Sequence, residues 1–124
     1  RCLTAEAMQK LPALFEKMKA NPFDPRTSIE IEQVSLRPAM AIHPATAKLL
    51  ENLEIAGREE SLPITHLTTG GGSDGNFIAH YGVATLDGCG PCGAALHTVN
   101  EYLKTESVEK RYRLMKRLIR DMSK

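Results

Sequence analysis

Near the start of the chain, apolar residues recur at helical spacing. Four of them, three or four positions apart, predict an amphipathic helix: Met8, Leu11, Phe15 and Met18. Thr4 can cap the beginning of this helix, and Asn21-Pro22 ends the pattern. Pro12 lies inside it and lacks the N–H of an internal helical bond, so we expect a kink or a new helical start there.

Further helices are predicted downstream. One begins with Pro44 in the first helical position and has Gly57 as a candidate end. Its packed stripe consists of Leu49, Leu50, Leu53 and Ala56. A short helix is expected near residues 74–80. The last helix is amphipathic, with Lys and Arg on its outer side. Its apolar positions are Val108, Tyr112, Met115, Ile119 and Met122.

Extended segments alternate with these helices. Residues 28–36 alternate between apolar and polar side chains, which predicts a half-exposed strand. Residues 63–67 predict a short strand, and the unbroken apolar run at 83–86 is typical of a strand covered on both faces. Helices alternating with buried strands predict an α/β layer structure.

Composition narrows the class of protein. With 124 residues, 42% hydrophobic and 25% charged, the chain is typical of one soluble globular unit. A net charge of +1 and the lack of a long apolar run predict no nucleic-acid partner and no membrane span. Three cysteines do not make a secreted disulfide framework, so we expect a reducing, cytoplasmic compartment. The first residues read R-C-L-T without Met, so we expect a piece of a longer polypeptide.

Glycine is concentrated between Thr69 and His97, which contain eight of the nine glycines. Gly70, Gly71 and Gly72 are followed by Ser73, and their bare backbone N–H groups can cradle an anion. The alternative is a flexible turn between a strand and a helix, and the glycines alone leave both interpretations open.

Cys89-Gly90-Pro91-Cys92 has the spacing of a thioredoxin dithiol. Neither a preceding Trp nor a later proline for a cis-Pro loop is present, so packing or a reversible disulfide is favoured. The same cysteines and His97 give three of the four ligands of a zinc knuckle, but Tyr102 stands at the fourth position, so a closed zinc site is disfavoured. A thiol-disulfide redox or small binding module remains the alternative function.

Several motifs together resemble one enzyme family. They are T-G-G-G-S-D-G-N-F at 69–77, G-V-A-T-L-D-G at 82–88 and A-L-H-T-V-N-E-Y at 95–102. They resemble the C-terminal part of the zinc-dependent aminoacylases and carboxypeptidases, which include glutamate carboxypeptidase, acetylornithine deacetylase and succinyl-diaminopimelate desuccinylase. R-P-A-M at 37–40 is similar to the family sequence that follows its lid domain. The resemblance is closest to the glutamate carboxypeptidase branch and covers essentially the whole chain.

The resemblance implies a fold and a domain division. In this family an α+β lid, which is also the dimerisation domain, is inserted into an α/β/α catalytic domain that binds two zinc ions. By resemblance, residues 1–36 are the second half of the lid, ending with its last helix and strand. Residues 37–124 are then the C-terminal part of the catalytic domain. The resemblance also implies a homodimer formed through the lid.

The resemblance also assigns site residues. His97 matches a family zinc ligand, and the family holds the substrate's carboxylate between a lid arginine, here Arg1, and the glycine loop. The loop residues are Gly70, Gly71, Gly72 and Ser73. A guanidinium and bare amides suit a carboxylate. The implied reaction is hydrolysis, by a metal-activated water, of an amide bond next to a free carboxylate, in a small peptide or an N-acyl amino acid.

Important parts of the family pattern are absent from these 124 residues. The sequence has no His-x-Asp motif, and its one Glu-Glu pair, Glu59-Glu60, is in the wrong order for the family's general base. No catalytic residue is therefore assigned here, and the isolated chain is predicted to be inactive and to bind zinc weakly or not at all. The other histidines, His43, His66 and His80, are expected at the surface or as caps. An incomplete lid would leave the edge of the 28–36 strand exposed and favour self-association or disorder.

Overall fold

The computed structural model describes residues 2, 4–40 and 42–124. These residues form four helices: α1 (Ala5–Ala20), α2 (Pro44–Glu59), α3 (Gly75–His80) and α4 (Glu106–Met122). They also form two short strands, β1 (Gly93–Ala94) and β2 (Tyr102–Leu103). Contacts divide the chain into two compact units. We call residues up to 42 together with 68–83 the glycine-loop unit, and residues 43–67 together with 84–124 the helix-pair unit.

Helix α1 begins and ends where the sequence predicts. Thr4 Oγ1 accepts a hydrogen bond from the Ala7 N–H at 3.1 Å, and the backbone N–H of Asn21 donates to the Lys17 carbonyl at 3.1 Å. The helix is continuous through Pro12, so the alternative of a new helical start is wrong. None of its residues, all of which the structure describes, is buried.

Helix α2 packs against α4 and forms the core of the helix-pair unit. Pro44 occupies its first turn, and His43 caps it by accepting the Ala45 N–H on Nδ1 at 3.2 Å, in agreement with the sequence. The buried apolar residues of the described chain all lie between these two helices, and Leu49 and Leu50 pack against them. The core residues are Leu53, Ala56, Leu114 and Leu118.

The predicted end of α2 at Gly57 is wrong. The helix continues to Glu59, and Gly57 is buried within it. A Cβ at position 57 would lie 2.5 Å from Ile64 Cγ1 and 2.7 Å from the Leu62 carbonyl oxygen. Glycine is therefore required there because the segment that follows the helix returns to touch its backbone.

Helix α4 packs through a face that includes Met115 of the predicted stripe but not the other four positions. Val108, Tyr112, Ile119 and Met122 are 43–63% exposed, whereas Leu114 and Leu118 are 0% and 4% exposed. The two apolar stripes lie about 100° apart around the helix, because they are one residue out of phase. Spacing identifies both stripes, but only the position of α2 determines which of them is covered.

The strands predicted at 28–36, 63–67 and 83–86 are not formed. In the described part of the chain the one sheet is the antiparallel β1–β2 pair, with Gly93 opposite Leu103 and Ala94 opposite Tyr102. A strand needs a neighbouring strand beside it, and none of the three predicted segments joins a ladder. The described fold is thus helical with little sheet, which is compatible with part of a larger α/β domain. The division into lid (1–36) and catalytic part (37–124) remains a prediction.

No helix in the described residues is both long enough and apolar enough to cross a membrane.

Candidate functional site

The glycine loop is held by side chains on both sides. The Gly71 N–H donates to Thr69 Oγ1 at 3.3 Å, and the Gly75 N–H donates to Ser73 Oγ at 3.2 Å. In the described chain, the N–H groups of Gly70 and Gly72 make no hydrogen bond, and both residues are exposed. The loop therefore presents free backbone donors, as an anion cradle requires, while the Ser73 oxygen accepts one bond within the loop.

Asn76 fixes this loop to the preceding chain. Its side chain, 7% exposed, accepts the Ser73 N–H on Oδ1 at 2.9 Å and donates from Nδ2 to the Pro38 carbonyl at 2.8 Å. One buried amide thus joins residues separated by 38 positions in sequence. No sequence pattern indicated this role, although Asn76 belongs to the G-G-G-S-D-G-N-F motif.

Arg37 lies directly over the loop. An added Cβ on Gly72 would be 2.9 Å from Arg37 Cδ, so the bare glycine makes room for the arginine side chain. The guanidinium lies 3.3 Å from Asp74 Oδ1 and 5.5 Å from the centre of the Phe77 ring. A partly exposed cation therefore lies beside the free loop amides, and the R-P-A-M motif was the only sequence signal for it.

His97 lies in the helix-pair unit on a tight turn made by its own motif. Its φ is +65°, a left-handed conformation that is uncommon for a residue with a side chain. The Glu101 carboxylate accepts the His97 N–H at 2.9 Å. The Thr98 hydroxyl donates to the Ala95 carbonyl at 2.8 Å and accepts the Asn100 N–H at 3.2 Å. In H-T-V-N-E, Thr98 and Glu101 therefore fold the turn that presents the histidine.

The imidazole of His97 is available for a ligand. The residue is exposed, and no ring hydrogen bond of His97 is found in the described part of the chain. A catalytic zinc site needs three protein ligands. Among residues 2, 4–40 and 42–124, no group of three or more His, Cys, Asp or Glu side chains could hold a metal ion. The residues present supply one candidate ligand and do not fill a zinc site by themselves.

The Glu59-Glu60 pair has a structural partner. Arg117 of α4 donates to Glu60 Oε1 at 2.5 Å and to Glu59 Oε2 at 2.6 Å. The hydrogen bond that Arg117 donates to Glu60 is the main reason that the pKa of Arg117 is raised above its ordinary value. Both carboxylates therefore tie the end of α2 to α4.

The predicted site residues fall in separate parts of the structure. Gly70, Gly71, Gly72 and Ser73 belong to the glycine-loop unit, and His97 belongs to the helix-pair unit. Arg1, the predicted lid arginine, lies outside the described residues. The functional assignments of all six residues remain predictions.

Comparison with known proteins identifies the class. The chain matches the peptidase family M20/M25/M40 over residues 5–121 and belongs to that family. The predicted resemblance to this family is thereby confirmed, and the glutamate carboxypeptidase branch stays a prediction.

Two relatives are similar over part of the chain. A succinyl-diaminopimelate desuccinylase of Colwellia psychrerythraea is 41% identical over 58 residues, which are 47% of this chain and 13% of that protein. A succinyl-diaminopimelate desuccinylase of Nitratiruptor is 44% identical over 55 residues, 44% of this chain and 15% of that protein. The similarity thus spans about one seventh of each relative's length. No solved structure matches the chain.

Proposed function

We propose that this chain is part of a zinc-dependent hydrolase that cleaves an amide bond next to a free carboxylate. The observation that carries the proposal is the H-T-V-N-E turn, in which Thr98 and Glu101 hold a left-handed His97 with an exposed imidazole. A strained turn around a histidine with no ring hydrogen bond in the described chain is expected where the ring binds a ligand. Membership of the peptidase family supports a metal as that ligand.

His97 supplies one metal ligand in this proposal. A bound zinc would activate water for attack on the amide carbonyl. The other ligands and the general base are not among the 124 residues, which contain no His-x-Asp motif. The chain by itself is therefore proposed to be inactive.

The glycine loop binds the substrate's carboxylate in this proposal. The free N–H groups of Gly70 and Gly72 are hydrogen-bond donors, and Arg37 adds a guanidinium beside them. Asn76 keeps the loop in place through the Ser73 N–H. Arg1 is proposed as a second cation for the same carboxylate.

The substrate is proposed to be a small peptide or an N-acyl amino acid. The partial similarity to proteins named succinyl-diaminopimelate desuccinylase favours N-succinyl compounds as a first choice, and glutamate carboxypeptidase-like substrates come second. We further propose a homodimer formed through the lid residues 1–36 and a cytoplasmic location, the latter because three cysteines suit a reducing compartment.

The test is a matched pair of histidine variants in the polypeptide that contains this chain. His97→Ala should abolish hydrolysis of N-succinyl amino acids and dipeptides and lower the bound zinc measured by mass spectrometry. His66→Ala is the control, because His66 is also exposed in the helix-pair unit and lies 3.9 Å from Glu54. Unchanged activity and zinc content in His97→Ala would contradict the proposal.

The thiol alternative is tested in the same polypeptide. Replacing Cys89 and Cys92 by Ala should leave hydrolysis intact. Loss of a disulfide reductase activity, with no hydrolysis in the unsubstituted protein, would favour the redox module instead.

A further inference from the structure

Cys92 has a fixed backbone and an exposed sulfur. Its N–H donates to Ser107 Oγ at 2.8 Å, and its carbonyl accepts the Lys104 N–H at 2.8 Å. Ser107 lies in the first turn of α4 and is 9% exposed. One bond attaches Cys92 to the first turn of α4 and the other to the segment just before it, while Cys92 itself remains exposed.

Arg111, one turn further along α4, reaches the same sulfur. Its Nη2 lies 3.7 Å from Cys92 Sγ and donates to it. The exposed sulfur of Cys92 is therefore in direct contact with a guanidinium.

Cys89 has the opposite surroundings. It packs against the Leu53, Ala56, Leu114 and Leu118 core, and its thiol donates to the Asp87 carbonyl at 3.8 Å. Burial raises the pKa of the Cys89 thiol above its ordinary value, and Arg111 offsets part of this rise. Cys89 is therefore the less accessible thiol of the two, because it is packed while Cys92 is exposed.

We propose that Cys92 and Cys89 form a thiol-disulfide exchange site, in which the exposed Cys92 beside Arg111 attacks first and the packed Cys89 resolves the product. The two intervening residues, Gly90 and Pro91, give the spacing of dithiols that close on themselves. The co-reactant is a low-molecular-weight disulfide such as oxidised glutathione. This site is independent of hydrolysis and of His97.

The exchange balances in two steps. The Cys92 thiolate attacks one sulfur of the glutathione disulfide, whose S–S bond breaks and releases one glutathione thiolate that takes up a proton. Cys89 then loses its proton to solvent, and its sulfur attacks Cys92 Sγ in the mixed disulfide. The second glutathione leaves as a thiolate. Two protein thiols are oxidised to one disulfide, and one glutathione disulfide is reduced to two thiols.

The experiment uses the polypeptide that contains this chain, with Cys2→Ala, and follows the peptide that carries Cys89 and Cys92. Oxidised glutathione should convert this chain to an internal disulfide seen by mass spectrometry. Adding Cys89→Ala should trap glutathione on Cys92, whereas adding Cys92→Ala should leave Cys89 to react at least about tenfold more slowly.

The role of Arg111 is tested with a matched arginine on the same helix. Arg111→Met should slow mixed-disulfide formation at Cys92 about threefold to tenfold, and Arg111→Lys should restore most of the rate. Arg113→Met is the control, because Arg113 pairs with Glu109 instead of a cysteine. Equal rates for the two cysteines, equal slowing by Arg111→Met and Arg113→Met, or no internal disulfide in the Cys2→Ala chain would each overturn the proposal. Circular dichroism checks that every variant keeps its helices.

Discussion

The two units of the chain differ in the interactions that stabilise each of them internally. The helix-pair unit contains every buried apolar residue of the described chain, namely Leu53, Ala56, Leu114 and Leu118. In the glycine-loop unit, the buried residue that the structure describes is the polar Asn76. One unit therefore depends on apolar packing, and the other depends on hydrogen bonds and a partly exposed ion pair.

The difference predicts an order of stability. Burying apolar side chains contributes about 1.5–3 kcal/mol each, whereas an exposed ion pair such as Arg37–Asp74 contributes about 0–1 kcal/mol. The glycine-loop unit should therefore open locally while the helix pair remains folded. A candidate ligand site in the less stable unit is free to adjust when a ligand binds.

The largest expected effect is at the centre of the helix pair. Leu114 is 0% exposed, so Leu114→Ala should lower the free energy of unfolding by about 3 kcal/mol, because it leaves a cavity between α2 and α4. Urea unfolding followed by circular dichroism measures this change. Ile119→Ala on the same helix, where the side chain is 63% exposed, should cost less than about 1 kcal/mol. A larger cost for Ile119→Ala would show that α4 packs through the other face.

An effect of intermediate size is expected when a glycine is replaced by alanine, and this substitution can be compared between the two units. Gly57→Ala places a Cβ 2.7 Å from the Leu62 backbone oxygen and should lower the free energy of unfolding by about 2 kcal/mol, despite the better helix propensity of alanine. Gly72→Ala meets Arg37 Cδ at 2.9 Å, but that side chain is 43% exposed and can move, so the cost should stay below about 0.5 kcal/mol. Thermal unfolding of both variants measures the difference. A larger cost at Gly72 would contradict the proposed order.

The smallest of the three expected effects is a local loss of stability in the glycine loop. Asn76→Ala leaves the Ser73 N–H and the Pro38 carbonyl without their buried partner, which should cost about 1–2 kcal/mol. Hydrogen exchange should speed up in residues 70–76 and stay unchanged in α2 and α4. Asn100→Ala is the control, because Asn100 is exposed and its printed hydrogen bond uses the backbone N–H, so exchange in residues 70–76 should not change. Uniformly faster exchange in both units would mean that the two units unfold together.

Helix ends could be predicted from sequence because their signals are local. Thr4, His43 and Pro44 act within one turn of the residues they cap. The buried face of α4 could not be predicted this way, since both of its stripes are apolar and α2 covers only one. The prediction that α2 ends at Gly57 was wrong for a similar reason. Glycine can end a helix or permit a close contact, and only the positions of residues 62–64 distinguish the two roles.

The strand predictions were wrong because a strand forms only when a second segment pairs with it through hydrogen bonds. The alternation at 28–36 is real, but it contains no information about a neighbour. The pair that does form, β1–β2, is only two residues long on each side, too short for any periodicity to reveal it.

The sequence motif predicted which residue could bind a ligand, but not which residues hold it in position. The motif indicated His97, but it did not reveal that Glu101 accepts the His97 N–H or that Thr98 closes the turn. Likewise, Arg37 was interpreted as part of a domain boundary, although it lies over Gly72. These supporting roles depend on hydrogen bonds that only coordinates show.

The order of the units along the chain has a practical consequence. The helix-pair unit is built from two stretches, and residues 68–83 of the glycine-loop unit lie between them in sequence. A single cut by a protease within 68–83 would place α2 and α4 on different peptides without removing one atom from the Leu53–Leu114 core. The two pieces would stay associated through their leucines, so the molecule offers a natural position at which to divide it into complementing halves.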